Sequence, residues 1–378
     1  MQSTPFVFGR MAEGENFTDR KQERERLSQN FLSLTNTTII SPRRWGKSSL
    51  VKRALEDIVA KDRNIKTCSI DLFNVRNEAE FYEQLVAAII KATSGKWEEW
   101  FAAAKEFVAH LRPQVSFGSD MREEISFDVQ WDKAAKKPDE LLDLAERVAR
   151  EKDCQLIVCI DEFQSIGGFR DSLAFQRKLR SHWQNHQHVC YCLYGSKRHM
   201  MLEIFANPSL PFYRFGDIML LGKISNADWG TFIAERFAKT DKSIAIRQAE
   251  YLADLVDNHP YYVQQLAQLT WLRTTVECNN MIIDAAMQGL TDQLGLLFFN
   301  NVESLTERQL RFLKAVLDGV EHLSSAETLS AYKLGTSANV VRIKKTLQEK
   351  EVIDITDGKV EILDPVFKHW LAREYFAQ

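Results

Sequence analysis

The chain of 378 residues has little that would place it outside the ordinary globular classes. No apolar run approaches the roughly 20 residues that cross a bilayer. The opening Met1-Gln2-Ser3-Thr4-Pro5 lacks a basic stretch leading into an apolar one, so neither a membrane segment nor a secretion signal is expected. Glycine (16) and proline (8) are too scarce for a fibrous or low-complexity chain. The six cysteines, Cys68, Cys154, Cys159, Cys190, Cys192 and Cys278, form no C-x-x-C, and no Cys/His group has metal-ligand spacing. That pattern argues against zinc and for a reduced, cytoplasmic protein with buried thiols. Charge of one sign is also missing. The 49 basic residues against 52 acidic leave −3, so no global basic field draws nucleic acid in.

What is present is an alternation of periods. Thr37–Ile40, Ile65–Phe73, Leu156–Ile160, Val189–Tyr194 and Asp217–Leu221 read as strands. Helical stripes fall between them near Lys47–Val59, Glu78–Ala92, Lys96–Leu111, Asp139–Lys152 and Leu173–His186. Such alternation predicts an α/β fold, a parallel sheet with helices on both faces, over residues 1–221. Near 113–133 the period becomes two on either side of Gly118-Ser119-Asp120, the mark of an inserted β-hairpin. Residues 222–303 carry helical patterns at Asp228–Lys239, Ile246–Val256, Tyr261–Thr275 and Met281–Leu290, which predict a helical lid domain. Over 304–378, helices near Glu307–Leu317, Ala326–Tyr332 and Ala338–Lys350 precede a hairpin turning at Asp357-Gly358, which predicts a winged helix.

Chemistry concentrates at two strand ends. Ser41-Pro42-Arg43-Arg44-Trp45-Gly46-Lys47-Ser48-Ser49, between a strand and a helix, matches G-x-x-x-x-G-K-[ST] except that Ser41 replaces the first glycine. In such a loop backbone N–H groups and a helix N-terminus converge on phosphate. Gly46 permits close approach, Lys47 reaches the β- and γ-phosphates, Ser48 ligates Mg²⁺, and Ser49 is placed for the α-phosphate. If position 41 requires positive φ, serine there costs on the order of 1 kcal/mol or more. The apolar run 156–160 ends in Asp161 and Glu162, which predicts a water-mediated Mg²⁺ ligand and a group that orients the attacking water. After the next strand come Gly195-Ser196-Lys197-Arg198, with Ser196 a candidate reader of the γ-phosphate and Arg198 a charge stabiliser. Arg180 is a further candidate finger, read first as an exposed helix arginine.

The phosphate loop 41–49, Asp161-Glu162-Phe163-Gln164 and Gly195-Ser196-Lys197-Arg198-His199-Met200, in this order, resemble the archaeal-type branch of the STAND P-loop ATPases, relatives of AAA+ proteins. Phe17-Thr18-Asp19-Arg20 and His259-Pro260 match that family's start and its His-Pro signature. The resemblance implies ATP as the nucleotide, Phe17–Arg20 (with Asp19 and Arg20) and Pro42 near the adenine, and His259 and Pro260 near the phosphates or base from the lid side. It also implies a nucleotide-controlled switch between domains rather than continuous turnover. Ser41 departs from the family's usual glycine, which leaves a non-hydrolysing nucleotide-binding scaffold as an alternative. A DNA-associated accessory factor is the other. The third helix of the winged module carries Arg342, Lys344, Lys345 and Lys350, but 301–378 holds 11 basic and 12 acidic residues, so a protein contact or an inter-domain role is favoured over duplex DNA, with any protein partner or oligomer left unidentified.

Overall fold

A computed structural model describes residues 4–93, 114–117, 127–130 and 138–377. The chain divides into two compact units, one of Lys21–Arg43 and Leu50–Leu221, the other of Met1–Arg20, Arg44–Ser49 and Gly222–Gln378.

The first unit contains α1 (Lys21–Leu32), β1 (Thr37–Ile40), most of α2 (Lys47–Lys61), β2 (Ile65–Asp71) and α3 (Glu78–Thr93). There follow β3 (Gln114–Phe117), β4 (Phe127–Gln130), α4 (Leu144–Glu151), β5 (Gln155–Asp161), α5 (Ser172–Trp183), β6 (Val189–Gly195), α6 (Arg198–Ala206) and β7 (Asp217–Leu220). Five strands make one parallel sheet in the order β2-β5-β6-β1-β7. All four residues of β1 and all seven of β6 are buried, the mark of strands covered on both faces. On one face Ile40, Val158, Ile160, Tyr191 and Leu193 share a core with α3, α4, α5 and α6. On the other, Ile39, Ile157, Cys159, Cys190 and Cys192 are equally buried. The register sets Cys159 beside Cys192, yet all six cysteines are free.

β3 and β4 pair antiparallel, while the helix expected at Lys96–Leu111 lies outside the described residues. Four elements differ from expectation, one of them α6, for which no helical pattern was read between the strands at Val189–Tyr194 and Asp217–Leu221. α1 was not foreseen, because only Leu27, Ser28 and Phe31 are buried along a surface rich in charge. It is held to β7 by Arg26 Nε and Asn30 Nδ2, each donating to Asp217 at 2.8 Å. The helix expected from Asp139 begins as a 3₁₀ turn, Pro138–Asp143, before α4 takes over. A second 3₁₀ turn, Phe163–Gly168, follows β5 directly.

The second unit is helical: α7 (Asn226–Ala238), α8 (Ile246–Leu255), α9 (Pro260–Arg273) and α10 (Asn280–Glu303). It continues through α11 (Glu307–Leu317), α12 (Ala326–Ala331), α13 (Ser337–Glu349), the antiparallel pair β8 (Ile353–Thr356) and β9 (Lys359–Ile362), and α14 (Pro365–Trp370). α10 runs 13 residues past the expected Leu290, because Leu290, Leu294, Phe298 and Val302 prolong the stripe at spacing four. One apolar core joins helices α7–α10 to the winged-helix elements. Phe6 belongs to it, 5.8 Å from the Phe237 ring, so the N-terminal segment packs with the helical unit. Among the described residues no helix is long and apolar enough to cross a membrane.

Candidate nucleotide-binding site

Parallel pairing brings the C-terminal ends of β1, β6 and β5 to one edge of the sheet. Ile40 is opposite Gly195, and Leu193 is opposite Ile160. Ser41, Ser196 and Asp161–Glu162 therefore leave neighbouring strands at the same edge, where ligands of open α/β sheets bind. Ser41 is buried and is not among the positive-φ residues, so the strain anticipated for a serine there is absent. Its hydroxyl donates to the Pro42 carbonyl at 3.3 Å.

Glu162 has left-handed backbone, φ +50° and ψ +38°, and its N–H donates to Asp161 Oδ1 at 2.8 Å. Its Oε2 accepts from the Ser196 hydroxyl at 2.9 Å, from the Ser196 N–H at 3.3 Å and from the Gln164 amide. Ser196 thus lies against Glu162. Arg198 opens α6, half-buried. Arg180 sits with its guanidinium carbon 4.9 Å from the Phe215 ring centre, a stacking contact within the same unit.

In the helical unit the distal phosphate loop turns through positive φ at Arg44 (+64°) and Gly46 (+86°). A Cβ at Gly46 would meet nothing within 4 Å, so backbone conformation rather than crowding calls for glycine. Positive φ on either side of Trp45 tilts successive N–H groups towards a common side, the geometry of an anion nest. Lys47 and Ser48 follow at the first turn of α2, with Lys47 buried. Ser49 Oγ accepts from the Ala12 N–H at 3.1 Å and keeps its own proton to donate. Asp19 and Arg20 both have positive φ. Arg20 is buried and braces main chain, its guanidinium donating to the carbonyls of Trp45 (3.3 Å) and Gly222 (2.9 Å).

His259 and Pro260 start α9, with proline at the helical position where a missing N–H costs nothing. The His259 ring stands edge-on to Trp45, centroids 6.3 Å apart, and Arg44 lies 4.5 Å above the Tyr261 ring. Among the described residues neither Trp45 Nε1 nor His259 Nδ1 has a hydrogen-bond partner. Two buried polar atoms left unpaired beside a nest are what a polar ligand would satisfy. Sequence reasoning missed Gln164, Ala12 and Tyr261; only Gln164 stood in a motif.

Burial pulls the His259 pKa down to about 4, with Arg44 and Lys223 adding to the effect. The unfolded chain, with a value of about 6.5, binds the proton first as pH falls, so stability declines from pH 6.5 towards 4. We expect this residue alone to cost ~2.5 kcal/mol by pH 4.5. Urea unfolding at pH 7 and pH 4.5 checks it: His259→Asn should be less acid-sensitive by about that amount, and equal acid sensitivity contradicts a buried neutral imidazole.

The family model described as "Probable winged helix domain" matches residues 296–373. No curated protein sequence matches the chain. Among solved structures, the Walker-type ATPase of Pyrococcus abyssi superposes with a TM-score of 0.66 at 18% identity, covering 98% of this chain and 100% of that one. The ORC2 protein of Aeropyrum pernix, solved in ADPNP–ADP complexes, superposes at 0.58 and 13%, covering 99% and 98%. From end to end, then, this chain has the fold of the archaeal Walker-type ATPases, closed at its C-terminus by a winged helix.

Proposed function

We propose that the chain is a Mg²⁺-dependent P-loop ATPase of the STAND, AAA+-related type, a nucleotide-controlled switch. The observation that carries this reading is the loop between β1 and α2, with positive φ at Arg44 and Gly46 and Lys47 on the next turn, together with the acidic pair Asp161 and Glu162 at the C-terminal end of β5. The residues fit a nucleotide: a nest for phosphate, unpaired polar atoms on Trp45 and His259, and an acidic pair at a strand end. The two superposed structures support it through fold, and the second was solved with nucleotides.

In this reading the backbone N–H groups of Pro42-free positions 43–47 cradle the phosphates. Lys47 supplies positive charge, and Ser48 and Asp161 hold the metal. Mg²⁺, when bound, offsets charge on the phosphate oxygens. Glu162 orients the attacking water through Oε1, the oxygen left without a protein partner among the described residues. Arg198 stabilises charge developing on the transferred group, and Ser49 donates to the α-phosphate.

Equilibrium titration with Mg·ATP tests the proposal. Lys47→Ala removes a charged hydrogen-bond donor worth about 1.5–3 kcal/mol, so affinity should fall ~10–100-fold. Unchanged affinity would refute the assignment. A second reading, duplex binding by the winged helix, draws on the exposed face of α13, where Ser337, Ala338, Val341, Arg342 and Lys345 lie at solvent. Absence of a gel shift at low salt would end it.

A further inference from the structure

We propose that Gln164 is a positioning residue for Glu162, and that position 195 is glycine so that the Gln164 side chain can reach it. This deepens the ATPase reading and rests on it. All the groups concerned lie in the α/β unit.

Gln164 sits in the 3₁₀ turn Phe163–Gly168, two residues beyond Glu162, and is 3% exposed. Its Nε2 donates to Glu162 Oε2, the oxygen that also receives both donors of Ser196. Its Oε1 is buried and has no hydrogen-bond partner among the described residues. A Cβ built on Gly195 would lie 1.8 Å from that Oε1 and 2.9 Å from Met201 Sδ. Gly195 has no positive φ, so the conformation of the strand does not require glycine. Space does. Glycine inside a strand marks the close approach of another group, and here that group is the amide.

Two local costs meet at this point, a glycine closing a wholly buried strand and an amide oxygen without a partner. Their common consequence is a carboxylate held by three donors on one oxygen. The plane of the group is fixed, and Oε1 is left as its basic atom. Gln164 touches no reacting atom in this scheme; it acts through Glu162. The leucine-sized alternative at 164 would fill the space without the donor, and any side chain at 195 would displace the amide.

Phosphate release and Mg·ATP affinity, measured on the full chain, test the idea with Gln164→Met, Gly195→Ala and the double variant. Each single change is expected to lower kcat about 10–100-fold, the loss that follows from a misplaced catalytic group, with ATP affinity within about twofold of wild type. The double variant should fall no further than the worse single, because both act on one amide. Retained ATP affinity shows that a variant is folded, and Gln164→Met, close in volume, carries the test if Gly195→Ala does not fold. A rate that depends on Glu162 but is untouched by Gln164→Met, or losses that multiply in the double variant, overturns the positioning role alone. Equal rates for wild type and Glu162→Gln overturn the parent reading and this role with it.

Discussion

Glu162→Gln is expected to lower single-turnover phosphate release by ~10²–10⁴-fold, the usual contribution of a positioned general base, while Mg·ATP binding stays within a few-fold of wild type. The amide has the carboxylate's shape, and its carbonyl oxygen still accepts from the Ser196 hydroxyl, as Oε2 does at 2.9 Å in the native site. What the variant loses is the capacity to take a proton from the attacking water. Lys47→Ala should behave in the opposite sense, weakening binding first. The two variants together separate a site that binds from a site that turns over, and the non-hydrolysing scaffold predicts no difference between wild type and Glu162→Gln. Ser41 gives that scaffold less support than the sequence suggested, since position 41 carries no left-handed strain.

The nest and the acidic pair are separable in a second way. Gly46 owes its identity to its own φ of +86°, whereas Gly195 owes its to a neighbour's amide. In the proposed reading a substitution at 46 therefore distorts the loop that would hold phosphate, and one at 195 disturbs the group that would handle water. Changes in affinity and changes in turnover are assigned to different glycines for physical reasons.

The sequence made legible whatever is local. A continuous apolar run announces β5, since a strand covered on both faces needs no alternation, and the spacing around Gly46-Lys47-Ser48 places a loop between strand and helix. The stripe of α11, with Thr306 and Gln309 forming a capping box, is equally plain. What it hid depends on distant partners. α1 has too few buried residues to show a stripe, and its anchor is Asp217, far along the chain. The strand order β2-β5-β6-β1-β7 is set by pairing that no window of sequence contains. Gln164 was visible only as the end of a motif, because its work is defined by Gly195, 31 positions on. Ser196 stood out as polar at a strand end, but that its hydroxyl meets Glu162 follows only from the turn after β5.

Trp183→Ala is the change expected to cost the α/β unit most. The indole is 1% exposed at the end of α5 and stacks on Tyr191 with centroids 4.1 Å apart and planes 13° from parallel. Phe81, Phe163, Phe212 and Phe215 surround it at 6.2–6.5 Å. Its Nε1 has no partner among the described residues, so no hydrogen bond to them is lost and the penalty is apolar transfer plus the cavity, ~3–5 kcal/mol for a buried Trp truncated to Ala. The cavity cannot close easily. Tyr191 is fixed by β6 on one side and on the other by its hydroxyl, which donates to His186 Nδ1 at 2.9 Å while His186 Nε2 donates to Asp143 at 3.1 Å. Trp183→Phe keeps an aromatic face on Tyr191 and should recover more than half of the loss. Urea unfolding followed by circular dichroism measures both. A cost below about 1 kcal/mol for Trp183→Ala would mean that the aromatic cluster rearranges to fill the space, against the dense packing that resists such collapse in protein interiors. Because Phe163 belongs to this cluster and directly follows Glu162, the same variant should also lower turnover at temperatures where it remains folded, linking the packing beneath the sheet edge to the carboxylate above it.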